Sequence, residues 1–397
     1  MKGKTCAWQV LLKAMEKLDG VESVSYNIDP KAMSKDLLFG SLEQTTREWS
    51  DGLFTHIMRK IIDNLRGEAN KRHWIIFDGD VDPEWVENLN ALLDDNKLLT
   101  LPNGERLSLP NNVRIMFEVE NLKYATPATV SRCGMIWFSE QVISTEMVMQ
   151  HYIAKLKESP LDELERETYL LKRANAQEKG EQLPPPTEGM LVQIEAIDSV
   201  HKFFEPKELI SNCLDYAGKK NHIMDFTRLR ALVSMFSLLN KGILNIIEYN
   251  REHDFKLDSD KIEKYMYNRL VYSILWGFGG SMGSEERVDL GKYIAGVSTK
   301  SIPNDEKHPL IDYFPGLEDG EWHLWETKVP TLEIETHKAA SPDVVIPTVD
   351  TVRHQEVIYS WLAEHKPLLL CGPPGSGLPF SFFIFGIFQV ATFFGKI

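Results

Sequence analysis

The residues Gly3-Lys4-Thr5 stand directly before a stretch whose apolar spacing predicts a helix. They match the second half of a phosphate-binding loop, GxxxxGK[ST], in which backbone N–H groups cradle phosphates at a helix N-terminus. In that arrangement the lysine pairs with the β- and γ-phosphates and the hydroxyl ligates Mg²⁺. The pattern predicts ATP or ADP with Mg²⁺ as cofactor, held by Gly3, Lys4 and Thr5. An N-terminal tail without function stays open as the alternative, because three residues match by chance often.

A second glycine-rich loop follows the apolar run Leu368-Leu369-Leu370. The order of strand and glycine loop is the start of the same motif, but Leu378 and Pro379 stand where lysine and threonine would follow. The loop is therefore interpreted as a remnant of a phosphate loop that does not bind nucleotide, with a plain Gly/Pro turn as the alternative. It comprises Gly372, Pro373, Pro374, Gly375, Ser376 and Gly377.

A carboxylate and an arginine complete the set of residues that could act on phosphate. Asp78 ends the apolar run 74–77, where a carboxylate beside a phosphate loop would hold Mg²⁺. A surface loop or a weak cation site remains an alternative for this Asp-rich turn. Arg132 lies between two candidate strands and would be either a solvated cation or an arginine finger that stabilises transferred phosphate in a neighbouring module.

Composition excludes several classes of function. The chain of 397 residues carries a formal net charge of −14, which argues against a general binder of nucleic acid. Its four cysteines are far apart, as is typical of a reducing cytosolic compartment. The motif HExxH is missing from the sequence.

The elements that must position these residues alternate between strands and helices. Candidate strands at 23–28, 74–77, 113–117 and 134–138 and helices between them predict an α/β layered domain with a largely parallel sheet over residues 1–140. Asn103-Gly104 predicts a hairpin between 98–101 and 106–109.

After the α/β domain, the sequence pattern becomes mainly helical. Residues 141–290 are predicted as a helical subdomain with a charged, Pro-rich insert at 156–187, and 291–330 as a connector. Strands near 331–336 and 344–347, a helix over 354–365 and a buried strand at 367–370 predict that a second α/β domain starts at 331–377. The Phe-rich stretch 378–397 is interpreted as a non-native tail, because its uncharged part is shorter than the roughly 20 residues of a membrane span.

Long contiguous segments resemble the dynein heavy chain family, closest to its cytoplasmic class. Residues 73–90, 94–106 and 128–135 are similar to the second AAA+ module of that family, and 226–232 to the helical lid of the same module. Residues 351–354 and 361–367 resemble the beginning of the third module. The resemblance implies an AAA+ P-loop NTPase fold: an α/β/α subdomain, incomplete here, then a helical lid and the beginning of a second AAA+ subdomain.

The resemblance also implies roles for individual residues. Gly79 stands where active AAA+ ATPases carry a water-polarising Glu, and Glu118 stands where Asn is usual, so a module that holds nucleotide with little turnover is expected. Arg132 would be the finger given to the preceding module. Arg228 or Arg230 would be the second-sensor arginine, with the choice between them open, and residues 345–348 would touch the adenine of the third module.

The whole protein is expected to be an ATP-driven, minus-end-directed microtubule motor of the cytoplasm and cytoskeleton. Its expected partners are the other AAA+ modules of the same heavy chain, together with intermediate, light intermediate and light chains and microtubules contacted through parts absent here. This chain alone is expected to be inactive, without a true membrane span. Two alternatives remain at this level: a stand-alone AAA+ ATPase of the remodelling-chaperone kind, and an interaction protein tethered to a membrane by the Phe-rich tail.

Overall fold

The computed structural model describes residues 3–43, 45–64, 66–139, 142–180, 182–331 and 347–372. The chain divides into two compact units, residues 1–143 and 144–397. Most of the strands predicted at 331–336 and 344–347, most of the second glycine loop and the Phe-rich tail lie outside the described residues.

The first unit is built around a parallel sheet of order β1-β4-β7. Ser25 pairs with Trp74, and Ile76 pairs with Met116, so the three strands run side by side in one direction. Two antiparallel pairs, β2–β3 and β5–β6, lie beside it, and the second of these confirms the hairpin predicted at Asn103-Gly104. The strands are β1 Ser23–Ile28, β2 Gly40–Leu42, β3 Trp49–Asp51, β4 Arg72–Asp78, β5 Leu98–Thr100, β6 Arg106–Ser108 and β7 Val113–Glu118.

Helices cover both faces of this sheet, because the side chains of each strand alternate between them. The helices are α1 Lys4–Asp19, α2 Lys35–Phe39, α3 Leu53–Ile62, α4 Pro83–Val86, α5 Asn90–Leu93 and α6 Pro127–Val130. One face buries Ile75 and Phe77 against α3 and the region of Trp85. The other face buries Trp74 and Ile76 against α1. The α/β/α layering predicted from the sequence is confirmed.

Three local predictions in this unit need correction. The apolar pattern of residues 85–93 predicts one helix, but the segment forms α4, a 3₁₀ turn at Glu87–Leu89 and α5. The spacing of Leu11 and Leu18 predicts that both belong to the apolar stripe of α1, but they are exposed, because the buried residues of this helix are Trp8 and Leu12.

The strand predicted at 134–138 is also wrong. The segment has no strand structure, and Met135, Ile136 and Trp137 are 66%, 85% and 73% exposed. Among the described residues, the segment pairs with no strand, although β7 pairs on one side only, with β4.

The second unit is mainly helical, and its core surrounds α11 and α12. The helices are α7 Thr145–Glu158, α8 Glu163–Lys179, α9 Glu188–Val200, α10 Leu209–Ala217, α11 Arg228–Glu252, α12 Ser259–Gly279, α13 Ser284–Val297 and α14 Val349–Leu362. Most of α12 is buried, including Tyr265, Arg269 and Tyr272. Helix α11 is the one described helix long and apolar enough to cross a membrane, and 61% of that window is buried inside the unit, as in the core helix of a packed domain.

The segment expected as a connector belongs to this core. A hairpin of β8 Tyr313–Pro315 and β9 Trp322–Leu324 packs beside α12. Asn268 donates a hydrogen bond to the Gly320 carbonyl at 2.8 Å, and Trp325 is 1% exposed. The strand predicted at 367–370 is wrong: the segment has no strand structure, and Leu369 is 70% exposed.

Candidate nucleotide site

A glycine caps the N-terminus of α1, where the sequence predicts part of a phosphate loop. Gly3 caps the helix with φ of +78°, a left-handed conformation that favours glycine. A Cβ atom there would lie 3.0 Å from Cδ1 of Ile143. The first-turn N–H groups therefore follow a glycine that no larger residue could replace without strain, and they give the helix end a partial positive charge.

The sheet brings two carboxylates to this helix end. Trp8 and Leu12 of α1 pack on Trp74 and Ile76 of β4. Since side chains alternate along a strand, Asp78 lies on the same face as Trp74 and Ile76. Glu118 is its register partner on β7. The carboxyl ends of parallel strands are the usual place for ligands in open α/β sheets.

The Glu118 carboxylate accepts hydrogen bonds from two side chains of α1 at this end of the sheet. The Thr5 hydroxyl donates to Glu118 Oε1 at 2.5 Å, and the Trp8 indole N–H donates to Oε2 at 3.1 Å. The ammonium of Lys4 donates to the carbonyl of the next residue, Val119, at 2.6 Å. The two side chains expected to meet phosphate and magnesium are thus both engaged by the end of β7.

Gly79 follows Asp78, at the position where the family resemblance predicts a glutamate that would polarise water. Its N–H donates to the Glu118 carbonyl at 3.2 Å, and its φ is +156°. A Cβ there would lie 3.4 Å from the Asp29 carboxylate, so a larger side chain would be crowded as well as strained. The position next to Asp78 therefore offers no general base.

The neighbouring acidic residues have structural roles. Asp80 forms an ion pair with Lys31 at 2.8 Å, and Asp82 caps α4 by accepting from the Glu84 N–H at 3.0 Å. Among the described residues, no group of three His, Cys, Asp or Glu side chains is arranged to hold a metal ion. Nothing here favours the alternative of an independent cation site.

The residues present fit a magnesium nucleotide if two of them change partners. A hydroxyl and a carboxylate are oxygen ligands that Mg²⁺ accepts, and Thr5 and Asp78 supply them. Lys4 and the N-terminal N–H groups suit phosphate. The charge of Glu118 opposes phosphate, so binding requires Thr5 and Lys4 to leave their present acceptors.

Arg132 lies after α6 and is held within its own unit. Its Nε and Nη2 donate to the two oxygens of Asp94 at 2.6 and 3.0 Å, and its Nη1 donates to the Ala128 carbonyl at 2.6 Å. This two-pronged pairing raises the pKa of Arg132 and lowers the pKa of Asp94. The Arg132 side chain remains 28% exposed. To act as a finger it would have to exchange Asp94 for phosphate oxygens.

The two candidate sensor arginines belong to the second unit. Arg228 opens α11 and pairs with Asp215 at 2.9 Å, and its side chain is 61% exposed. Arg230, two positions further, is also exposed. Of the second glycine loop, Gly372 alone is described, and it is exposed. The remaining residues of that loop, Pro373 to Gly377, lie outside the described residues.

Comparison with known proteins decides the family. Residues 2–133 match the model of the AAA domain of the dynein-related subfamily, and residues 200–327 match the dynein heavy chain AAA lid domain. The chain is 55% identical to the cytoplasmic dynein heavy chain of Drosophila melanogaster over 382 residues, which are 96% of this chain and 8% of that protein. The chain belongs to the dynein heavy chain family.

Other cytoplasmic dynein heavy chains are similarly close. The Dictyostelium discoideum protein is 54% identical and the Neurospora crassa protein 51%, over 94% and 96% of this chain. The chain spans about 8% of the length of each of these relatives. Within the dynein heavy chain family, this stretch therefore comprises an AAA domain with a parallel sheet and then the helical AAA lid.

Sequence reasoning missed the partners that the site residues have. Trp8 shares Glu118 with Thr5, and Asp94 holds Arg132. Both contacts join residues far apart in the chain, and neither stands in a short motif. The acidic turn Asp94-Asp95 gave no signal either, because Lys97 stands two residues further on and could balance it locally.

Proposed function

We propose that this stretch is the second AAA+ module of a cytoplasmic dynein motor, with the beginning of the third, and that it holds ATP or ADP with Mg²⁺ but hydrolyses ATP poorly. The observation that carries the proposal is the meeting of the α1 N-terminus with the β7 carboxyl end, where Thr5 bonds Glu118. Gly3, Lys4 and Thr5 would hold the phosphates and metal, and Asp78 would be the second oxygen ligand of Mg²⁺.

Poor turnover follows from two side chains. Gly79 has no group that could orient water, and a water-positioning group is typically worth about 10²–10⁴ in rate. Glu118 carries negative charge towards the Lys4 end of the loop, where it disfavours the γ-phosphate. A site of this kind regulates or supports a ring rather than driving it.

Arg132 would serve the module that precedes this one. It lies just after α6 and makes three hydrogen bonds within its own unit, so it would release Asp94 to reach phosphate oxygens. Arg228 or Arg230 would contact nucleotide as the second sensor, and residues 345–348 would belong to the third module. Force production on microtubules, the accessory chains and a cytoplasmic, cytoskeletal location are proposed for the whole heavy chain.

Cys6 provides a direct test of nucleotide binding in this chain. It is exposed and follows Thr5, and Cys371 is exposed in the other unit and serves as an internal reference. Mg·ATP should slow alkylation of Cys6 and leave Cys371 unchanged. Lys4→Ala should abolish this protection, whereas Lys13→Ala, an exposed lysine further along α1, should keep it.

The outcomes separate the proposal from its alternatives. If millimolar Mg·ATP does not slow alkylation of Cys6, or if Lys4→Ala remains protected, the site is not at Gly3-Lys4-Thr5. Steady-state ATP turnover by this chain above about 1 s⁻¹, an ordinary enzyme rate, would contradict poor hydrolysis and favour a stand-alone ATPase.

A further inference from the structure

A hydrogen-bonded network in the second unit joins the end of α14 to helices α7 and α11. The Tyr152 hydroxyl of α7 donates to Asn240 Oδ1 at 2.7 Å, and Asn240 Nδ2 donates to Glu364 Oε1 at 2.7 Å. Glu364 also forms an ion pair with Lys366, whose ammonium donates to the Ser237 hydroxyl of α11. All five residues belong to the second unit, so the network is separate from the candidate nucleotide site.

The two charged members determine the direction of every hydrogen bond in the network. An ionised carboxylate only accepts, so the amide of Asn240 must turn its nitrogen to Glu364 and its oxygen to the hydroxyl on α7. An ammonium only donates, so Ser237 accepts from Lys366 and donates its own proton to the Val233 carbonyl at 3.1 Å. The network therefore has one arrangement that satisfies its members, and a fully satisfied polar network rigidifies the structure around it.

Burial makes the network costly to break. Ser237 is 0% and Tyr152 7% exposed, and the Glu364 side chain is 18% exposed. Burial raises the pKa of the Glu364 carboxyl, but hydrogen bonds from Lys366 and Asn240 outweigh this effect and hold the pKa below its usual value of 4.5. The carboxyl is therefore ionised at neutral pH. Removal of one partner would leave a buried polar group unpaired, which costs more than the hydrogen bond itself contributes.

The apolar contacts of α14 end before the network begins. Val357 and Ser360 are the last fully buried residues in the part of the chain that the structure describes. The turn at 363–366 then ends the helix, with His365 in a left-handed conformation at φ of +52°. His365 also lies 3.6 Å from Glu163, but both side chains are exposed, and exposed ion pairs contribute little. The buried network is therefore the main attachment of this turn to the rest of the unit.

We propose that the network is a latch that couples α7 to the turn at 363–366 and fixes the path of the chain from α14 to the second glycine loop. Helix α7 is the first helix of the second unit, and the loop begins at Gly372, shortly after the turn. A displacement of α7 that moved Tyr152 away from Asn240 would leave the amide free to rotate, and Glu364 would lose its fixed donor. The latch thus transmits a displacement between the first helix of the unit and the chain that follows α14.

Hydrogen exchange at the backbone amides of 363–366 reports on the latch, because each of them donates to a carbonyl of α14. Asn240→Asp should speed this exchange by roughly tenfold or more, since it sets two carboxylates against each other and removes the donor to Glu364. Glu364→Gln should speed it less, because the new side-chain oxygen still accepts from Asn240. Glu356→Gln, the same change earlier on α14, should leave exchange unchanged. Exchange at 270–276 in the buried part of α12 serves as the reference within each sample.

The double variant Asn240→Asp with Glu364→Gln separates a latch from damage to the fold. It exchanges the amide and the carboxylate, so that the new amide donates to the new carboxylate, which still accepts from Tyr152. Exchange at 363–366 should therefore return close to the parent rate, which independent damage at two sites cannot produce. If the double variant exchanges as fast as Asn240→Asp or faster, the two residues do not act as a pair and the latch is wrong.

Tyr152→Phe tests the coupling to α7. It removes only the hydroxyl that holds the Asn240 amide, so exchange at 363–366 should rise several-fold while exchange at 270–276 stays unchanged. A parent rate at 363–366 in this variant would show that α7 is not coupled to the turn. Equal acceleration in the two stretches would likewise overturn the proposal, since a latch acts on the turn alone.

In a complete heavy chain the same variants should act on the module that contains the second glycine loop. This consequence rests on the proposed order of the modules, whereas the exchange measurements do not. Asn240→Asp should change the nucleotide affinity of that following module several-fold, and the double variant should restore it. A normal affinity in Asn240→Asp, despite faster exchange at 363–366 in this chain, would show that the latch does not position the loop.

Discussion

Thr5 and Glu118 join the first turn of α1 to the carboxyl end of β7 through a hydrogen bond of 2.5 Å. The same two residues would have to separate for the hydroxyl of Thr5 to reach a metal ion. Nucleotide affinity of this AAA domain should therefore depend on the charge of Glu118.

Glu118→Gln should raise the affinity for Mg·ATP by roughly tenfold, since it removes a negative charge near the phosphates, and about 1.4 kcal/mol corresponds to tenfold in affinity. Protection of Cys6 as a function of ATP concentration measures this. Glu120→Gln is the matched control, because Glu120 is exposed two residues further on. An unchanged or weaker affinity in Glu118→Gln would mean that the carboxylate serves as a metal ligand and does not oppose the phosphate.

Arg132→Ala, introduced into a complete heavy chain, should slow ATP hydrolysis at the preceding module and leave nucleotide affinity of its own module intact. Arginine fingers contribute about 10³–10⁵ in rate. Single-turnover hydrolysis and nucleotide release, measured for the two modules separately, check this.

Asp94→Asn offers the complementary test, because it removes the carboxylate that holds Arg132 in this unit. It should change hydrolysis at the preceding module far less than Arg132→Ala does. Loss of nucleotide affinity in the Arg132 module, with normal motor ATPase, would contradict the finger assignment.

The acid stability of the first unit should depend on Arg59. Its guanidinium lies 2.7 Å from Asp51 and 2.8 Å from Glu105, and these hydrogen bonds lower the pKa of both carboxyls from usual values of 3.8 and 4.5. A lowered carboxyl pKa stabilises the fold above the unfolded-state value, and that contribution is lost as the pH falls through the folded-state value.

Asp51→Asn should therefore reduce the melting temperature at pH 7 and flatten its decline below about pH 4.5. Calorimetry of the two proteins between pH 7 and 3 measures the difference. Asp63→Asn, at the end of α3, should keep the slope of the parent chain. A parallel decline in Asp51→Asn would show that the ion pair does not contribute.

How far the sequence predicts this molecule differs between its parts. Strands β1, β4 and β7 were predicted to within two residues at each end, because alternating or continuous apolar runs between turn residues leave few alternatives. The runs at 134–138 and 367–370 have similar composition, yet neither forms a strand. Whether an apolar run becomes a strand depends on a partner edge, and that information lies elsewhere in the chain.

In the candidate site, too, some features could be predicted from the sequence and others could not. Gly3, Lys4, Thr5 and Asp78 were found because motif spacing identifies them. The bond from Thr5 to Glu118 and the pair between Arg132 and Asp94 depend on tertiary placement.

Substitution of one glycine by alanine tests how closely α11 and α12 pack where they cross. A Cβ on Gly277 would lie 2.6 Å from the backbone nitrogen of Met235, which cannot move without shifting the helix. Gly277→Ala should destabilise the lid by about 1–3 kcal/mol. Gly296→Ala, in α13 with no atom within 4 Å of the new methyl, should be neutral or stabilise by up to about 1 kcal/mol. Urea unfolding followed by tryptophan fluorescence compares the two, and equal effects would mean that the helices can separate freely.

The order of the strands in the parallel sheet has a kinetic consequence. Pairing of β1 with β4 places Ser23 beside Arg72. The chain between these residues must close a long loop before any hydrogen bond between the two strands can form. Helices α11 and α12 are consecutive and separated by a short turn. Low contact order speeds folding, so the lid should acquire protected amides before the sheet does. Pulsed hydrogen exchange during refolding should detect protection at Ile243 and Ile246 earlier than at Ile75 and Phe77. Simultaneous protection would mean that the two units fold in one cooperative step.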